Sequence, residues 1–133
     1  MKYVLDAGPM IVFLDDDRGA EVVEQVLTEP GSTCYAHILN LTEVYYIYFR
    51  RGAKDMAEEA IQSLLDTGII VRDDHDTDFW KGAATVKGTH AMALPDAFCL
   101  TLAKRIEGTV VTTDHTEFDP LVPLNYCPIM FIR

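Results

Sequence analysis

Thr109-Val110-Val111-Thr112-Thr113-Asp114 reads as a short β-branched strand that ends on a carboxylate. Upstream of it, Pro95 opens a helix that runs to about Ile106 and is closed by Gly108. The N-terminus repeats the strand signal: Tyr3-Val4-Leu5 is apolar and stops at Asp6. Ala7-Gly8-Pro9 is expected as a turn, with Pro9 opening a helix through the apolar Met10 to Leu14 and Asp15-Asp16-Asp17 as a polar corner. Val22, Val23, Val26 and Leu27 follow helical spacing between Gly19 and Leu27, and Glu29-Pro30-Gly31-Ser32 breaks that helix. A strand is expected at Thr33 to Ala36. A long helix follows from Ile38 to Arg51, ended by Gly52, and another runs from Lys54 to Leu65. Ile69-Ile70-Val71 reads as a third strand, Thr77 to Val86 as a helix, Lys87 to Ala93 as a loop, and Ile129-Met130-Phe131 as a last strand.

Strands therefore alternate with helices, and the strands are short and apolar throughout. That pattern predicts an α/β fold, a three-layer α/β/α sandwich around a central parallel sheet of about five strands, Rossmann-like, with residues 1–133 forming one domain. Sheets of this kind bind ligands beyond the carboxyl ends of their strands, which is where Asp6 and Asp114 stand.

The 133 residues are 49 % apolar and 24 % charged, which excludes disordered and low-complexity classes. The longest apolar run is the six residues Val44 to Phe49, far short of the roughly 20 a spanning helix needs, so no membrane association is expected. A net charge of −10 excludes a nucleic-acid binder that relies on a broad basic surface; any such role must be local, with cations reversing the field at a carboxylate site. Cys34, Cys99 and Cys127 are odd in number and contain no C-x-x-C pair, which argues against a disulfide framework and fits a cytoplasmic location. Met1 to Leu14 lacks a cleavage motif and is interrupted by Asp6, so it is read as the first strand of the fold.

Four acids lie in apolar surroundings: Asp6, Glu43, Asp96 and Asp114, with no Lys or Arg within three residues of any of them. Placing ionised carboxylates near a core is costly unless they are paired, hydrogen-bonded or bound to metal. If they converge, their pKa values rise until a divalent ion binds, and hard oxygen ligands favour Mg²⁺ or Mn²⁺. Each acid also has a plain structural reading. Asp6 and Asp114 could serve a turn or a helix cap, Asp96 could complement a helix dipole, and Glu43 stands at capping-box spacing from Asn40.

The stretches Tyr3-Val4-Leu5-Asp6-Ala7-Gly8-Pro9-Met10-Ile11, Leu41-Thr42-Glu43-Val44, Leu94-Pro95-Asp96-Ala97-Phe98-Cys99-Leu100-Thr101-Leu102-Ala103 and Val110-Val111-Thr112-Thr113-Asp114-His115-Thr116-Glu117-Phe118 together resemble a PIN-domain ribonuclease. The resemblance is to the small kind found as the toxin of a VapBC-type toxin–antitoxin pair, and it covers nearly the whole chain. It implies a PIN-like fold and a Mg²⁺- or Mn²⁺-dependent endoribonuclease, with Asp6, Glu43, Asp96 and Asp114 catalytic. Asp6, Asp96 and Asp114 would hold the metal, directly or through water, and Glu43 would help orient the attacking water. Thr112 would support these ligands through its hydroxyl. RNA as substrate, an antitoxin protein as partner, and products with a 5′-phosphate and a 3′-hydroxyl are implied in the same way. Ala7 and Gly8 depart from the hydroxyl or amide residues that family members often carry there.

Lys87 and His90, expected in the loop before Asp96, are the favoured phosphate contacts, ahead of the denser cluster Arg50, Arg51 and Lys54. Asp119 is read as part of an ordinary Phe118-Asp119-Pro120 turn, and Asp73-Asp74-His75-Asp76 as a polar strand-to-helix corner rather than a metal site. Tyr45-Tyr46-Ile47-Tyr48-Phe49 points around the whole circumference of its helix, which suggests a homodimer surface or an antitoxin groove. The main rival to a nuclease is a non-catalytic PIN-like binding or scaffold module. A D-x-D phosphatase is excluded by Gly8, and nucleotide-binding glycine motifs are absent.

Overall fold

The computed structural model describes residues 1–133. Five strands form one parallel sheet: β1 (Lys2–Leu5), β2 (Thr33–His37), β3 (Ile70–Arg72), β4 (Thr109–Thr112) and β5 (Ile129–Phe131). Their order is β3-β2-β1-β4-β5, with Val4 registered against Tyr35 on one side and Val110 on the other. The helices are α1 (Ala7–Leu14), α2 (Ala20–Thr28), α3 (Ile38–Asp66), α4 (Thr77–His90), α5 (Leu94–Ile106) and α6 (His115–Phe118), followed by a 3-10 helix, Asp119–Leu124. No helix is long and apolar enough to cross a membrane.

Strand pleating sorts the core into two layers. Tyr3, Leu5, Cys34, Ala36 and Val111 face α1, α2 and α3, where they meet Met10, Val23, Val26, Leu41, Val44 and Leu64. Val4 and Val110, one residue out of phase, face the other way and pack with Phe79, Cys99, Leu100, Leu102 and Phe118. Both faces of the sheet are covered, so its strands are apolar on both sides, as the α/β/α expectation requires. All three cysteines are free thiols.

The chain winds from β1 outward through β2 to β3, then returns to the centre at β4 and continues to β5. The winding reverses between β1 and β4, which opens a crevice beyond their carboxyl ends. That crevice is where Asp6 and Asp114 emerge.

Several boundaries differ from the sequence expectation. Ala7-Gly8-Pro9 is the first turn of α1, because the Asp6 carboxylate caps the helix by accepting the Ala7 N–H at 2.9 Å. α4 continues to His90, so Lys87 and His90 lie in its last turn and not in a loop; Ala91, at φ 56°, ends the helix with its N–H on the Lys87 carbonyl. Asp119 is no simple turn residue, since it opens the 3-10 helix and meets His115 at 2.9 Å. Asp74 and Asp76 behave as a polar corner: Arg72 and Arg105 both hold Asp74, and Arg105 also reaches Asp76 at 2.8 Å.

α3 is two helices joined at a break, with Gly52 at φ −156° and Ala53 at φ 62°, ψ −160°. Ala53 thus occupies a region that almost only glycine populates without strain. Ala53→Gly is expected to stabilise the protein by about 1 kcal/mol, the relieved strain outweighing the added chain entropy of glycine. Thermal melts of the two proteins check this, and a lower melting temperature for the variant would contradict it.

Candidate active site

Each acid is delivered by a different element. Asp6 follows β1, Glu43 sits on α3, Asp96 lies in the first turn of α5, and Asp114 follows β4. All four line one cavity of about 350 Å³, together with Gly8, Thr113 and Glu117; no Lys or Arg lines it. An apolar hollow of similar size beside Leu41 and Tyr45 and a larger one beside Lys104 and Tyr126 gather no cluster of acids, so the site is identified by its donors rather than by its size.

Asp6 is the most deeply embedded. Its Oδ1 accepts from the Ala7 N–H (2.9 Å) and from Asn40 Nδ2 (3.1 Å), and its Oδ2 accepts from the Thr112 hydroxyl (3.0 Å). Thr112 Oγ1 also accepts the Asp114 N–H at 3.0 Å, so one hydroxyl links both strand-end acids. Asp6 and Asp96 face each other at close range, so the ionisation of each depends on the other. Asp114 caps α6 by accepting the Glu117 N–H at 2.9 Å. Asp6 and Asp114 therefore cap helices while also lining the cavity. For Glu43 the capping reading fails: α3 begins at Ile38 with His37 as its N-cap, which places Asn40 in the first turn.

Burial and mutual repulsion raise the acids. Asp96 is pushed up to about 9, first by burial and then by the charges of Asp6, Glu117 and Asp114. Asp6 is also raised, mainly by burial, against the lowering effect of the hydrogen bonds it accepts. Glu43 is raised by burial and by Asp6. Such a set lacks only positive charge, and it offers only hard oxygen donors, so a hard divalent cation fits it.

The tightest grouping is not the one the sequence named. Carboxylate oxygens of Asp96, Asp114 and Glu117 lie within 4.8 Å of one another, and Asp6 joins them through Asp96. Glu117 is the acid that sequence reasoning missed. Its signal is the Asp-x-x-Glu spacing from Asp114, which folds the fourth residue back beside the cap. Lys87 and His90 do not line the cavity: Lys87 Nζ donates to the Met92 carbonyl (2.8 Å), and His90 Nε2 meets the Tyr126 hydroxyl (2.9 Å).

Gly8 has a local reason. A Cβ there would lie 2.3 Å from Thr113 Oγ1, so the missing side chain makes room for that hydroxyl at the cavity wall. Gly8→Ala is expected to lose about 1 kcal/mol as Thr113 is driven from its rotamer. The double variant Gly8→Ala/Thr113→Ala should recover that loss in a denaturant melt; equal stability of Gly8→Ala and wild type would remove the steric argument.

A family model of the PIN domain matches residues 3–119. The chain belongs to the PIN domain family. As a fold, this PIN domain is similar to DNA-bound VapBC from Salmonella typhimurium, with a TM-score of 0.75 and 15 % identity over 100 % of this chain and 99 % of that one. VapBC2 from Rickettsia felis, bound to a DNA fragment from its promoter, gives 0.75 at 13 % identity over 98 % of both chains. VapBC-1 from nontypeable Haemophilus influenzae gives 0.74 at 17 % identity over 99 % of this chain and 98 % of that one. At such identities the likeness is one of fold. No curated protein sequence matches the chain.

Proposed function

We propose that this PIN domain is a Mg²⁺- or Mn²⁺-dependent endoribonuclease and the toxin of a toxin–antitoxin pair. The observation that carries the reading is the convergence of Asp6, Glu43, Asp96 and Asp114, from four separate elements, on one cavity without a cation of its own. The fold likeness to toxin–antitoxin complexes supports an antitoxin as partner.

Asp6, Asp96 and Asp114 would hold the ion, with Glu117 beside them. When bound, the divalent ion offsets charge on the scissile phosphate and lowers the pKa of water. Thr112 keeps the Asp6 and Asp114 segments in register through its hydroxyl. Glu43, half-buried and raised above its ordinary range by burial and by Asp6, is suited to orient the attacking water and accept its proton. The water oxygen bonds to phosphorus as the P–O3′ bond breaks, the 3′ oxygen takes a proton, and a 5′-phosphate and a 3′-hydroxyl result. Tyr46 and Phe49 are exposed on α3, while Tyr48 is buried with its hydroxyl on Asp15, so only part of the aromatic run is free for a homodimer or antitoxin contact.

The test is hydrolysis of a single-stranded RNA by the purified protein with Mn²⁺, with Mg²⁺ and with excess chelator. Cleavage with either ion and none in chelator is expected. Cation-independent cleavage would overturn the metal-dependent mechanism, and no cleavage under any condition while Mn²⁺ binds would overturn the enzymatic reading in favour of a binding module.

A further inference from the structure

Asn40 is fully buried, and its amide is half satisfied. Nδ2 donates to Asp6 Oδ1 at 3.1 Å and to the Pro95 carbonyl at 3.2 Å, while Oδ1 has no partner. Rotating the amide would not help, because both partners of Nδ2 are pure acceptors and would then face an oxygen. A buried carbonyl without a donor carries an uncompensated desolvation cost. A residue kept only for packing would not carry that cost, since an apolar side chain avoids it. The unpaired oxygen is thus the structural consequence of keeping two N–H donors on Asp6 and Pro95.

Those two acceptors belong to the segments that carry the acids. Asp6 ends β1, Pro95 directly precedes Asp96 on α5, and Glu43 is one helical turn beyond Asn40 on α3. His37 fixes the start of that turn. Its Nδ1 accepts the Leu39 N–H (3.1 Å), its other nitrogen meets the Asp74 carbonyl (2.9 Å), and its ring stacks on Phe79 and edges against Phe98. One amide group therefore spans the three segments bearing Asp6, Glu43 and Asp96.

We propose that Asn40 is a positioning residue, its amide setting the spacing of Asp6, Glu43 and Asp96 so that they take a divalent cation together. The proposal rests on the ribonuclease reading above only for the effect on turnover; the effect on cation binding is independent of it.

The experiment measures Mn²⁺ binding by calorimetry at a temperature where all variants are folded, melting in chelator, and kcat and KM on RNA. Asn40→Ala removes the donors and the unpaired oxygen together. It should bind Mn²⁺ at least tenfold more weakly and lose at least tenfold in kcat, with KM within twofold of wild type. Asn40→Leu fills the space without an N–H donor and should show the same two losses with KM again within twofold, which a packing role would not produce. Wild-type Mn²⁺ affinity in either variant overturns the proposal. A wild type that binds Mn²⁺ without cleaving RNA defeats the nuclease reading alone, and the affinity ratios still decide Asn40. A wild type that binds no Mn²⁺ defeats both.

Discussion

Asp96→Asn is expected to reduce cation-dependent RNA cleavage by at least about 10³-fold, roughly 4 kcal/mol of transition-state stabilisation. The same change should raise the melting temperature of the protein in chelator. Both effects follow from one geometry. Asp96 is buried against Asp6, and its carboxyl is pushed up to about 9 by burial and by three neighbouring acids. With no cation present, its ionisation is unfavourable. Asparagine has the same skeleton, carries no charge and offers an N–H to the neighbouring Asp6 carboxylate. With a cation present, the sign reverses: an amide oxygen is a weaker ligand than a carboxylate, and the cluster loses one negative charge. The measurement is a pair of assays on one preparation, RNA cleavage with Mn²⁺ and a melt in chelator at pH 8. Unchanged cleavage would remove Asp96 from the chemistry. Lost cleavage with a lowered melting temperature would mean that the side chain serves the fold.

The layers were legible because their cause is local. Val110 and Val111, like Val4 and Leu5, sit in runs with no polar face, and only a sheet covered on both sides buries such runs. The helix break at Gly52 was equally plain, since glycine followed a long apolar-patterned helix. What escaped was set by tertiary partners. Gly88 and its small neighbours suggested a loop, yet α4 holds to His90 because Phe79 and Ala83 anchor its buried face and Ala91 caps it. α6 and the following 3-10 helix were invisible to periodicity. They are too short for it, and are fixed by the Asp114 cap and the burial of Phe118 and Leu121.

The site shows the same division. Acids flanked by apolar residues and placed after strands could be picked out one by one, because their local setting already made them costly. Glu117 lies among His115, Thr116 and Phe118, where an acid looks ordinary, and only the turn of α6 brings it beside Asp114. Lys87 and His90 lie outside the cavity lining for the converse reason. Their nearness in sequence to Asp96 suggested a role at the cavity, but the Met92 carbonyl and the Tyr126 hydroxyl already engage them. Asn40 could be seen as a cap partner for Glu43 and not as a bridge, because its acceptors lie 34 and 55 residues away.

The metal-free protein should lose stability as pH rises from about 5 to about 8, which is the reverse of what paired carboxylates give. Asp96 titrates near its ordinary value in the unfolded chain and at about 9 in the folded one, and Asp6 and Glu43 are shifted in the same direction. A group raised on folding binds more protons in the native state. Its stabilising contribution is complete below the unfolded value, near 4, and is lost as pH climbs through the folded value. For Asp96 alone, three pH units inside that window at about 1.4 kcal/mol per unit amount to at most about 4 kcal/mol, so a loss of roughly 2–4 kcal/mol and ~10 °C is expected from this group. The acid limb is set by other residues. Asp15, beside Arg51, and Asp74, held by Arg72 and Arg105, are lowered by their partners despite some burial, and they lose their contribution below about pH 4. Mn²⁺ competes with the protons of the cluster, so its stabilising effect should grow with pH over the interval where the metal-free protein weakens. Melts from pH 5 to pH 8, with chelator and with Mn²⁺, should give two curves that diverge upward in pH, and Asp96→Asn should flatten the first of them. Parallel curves, or a metal-free protein most stable at pH 8, would mean that the carboxyls are not held together as the structure places them.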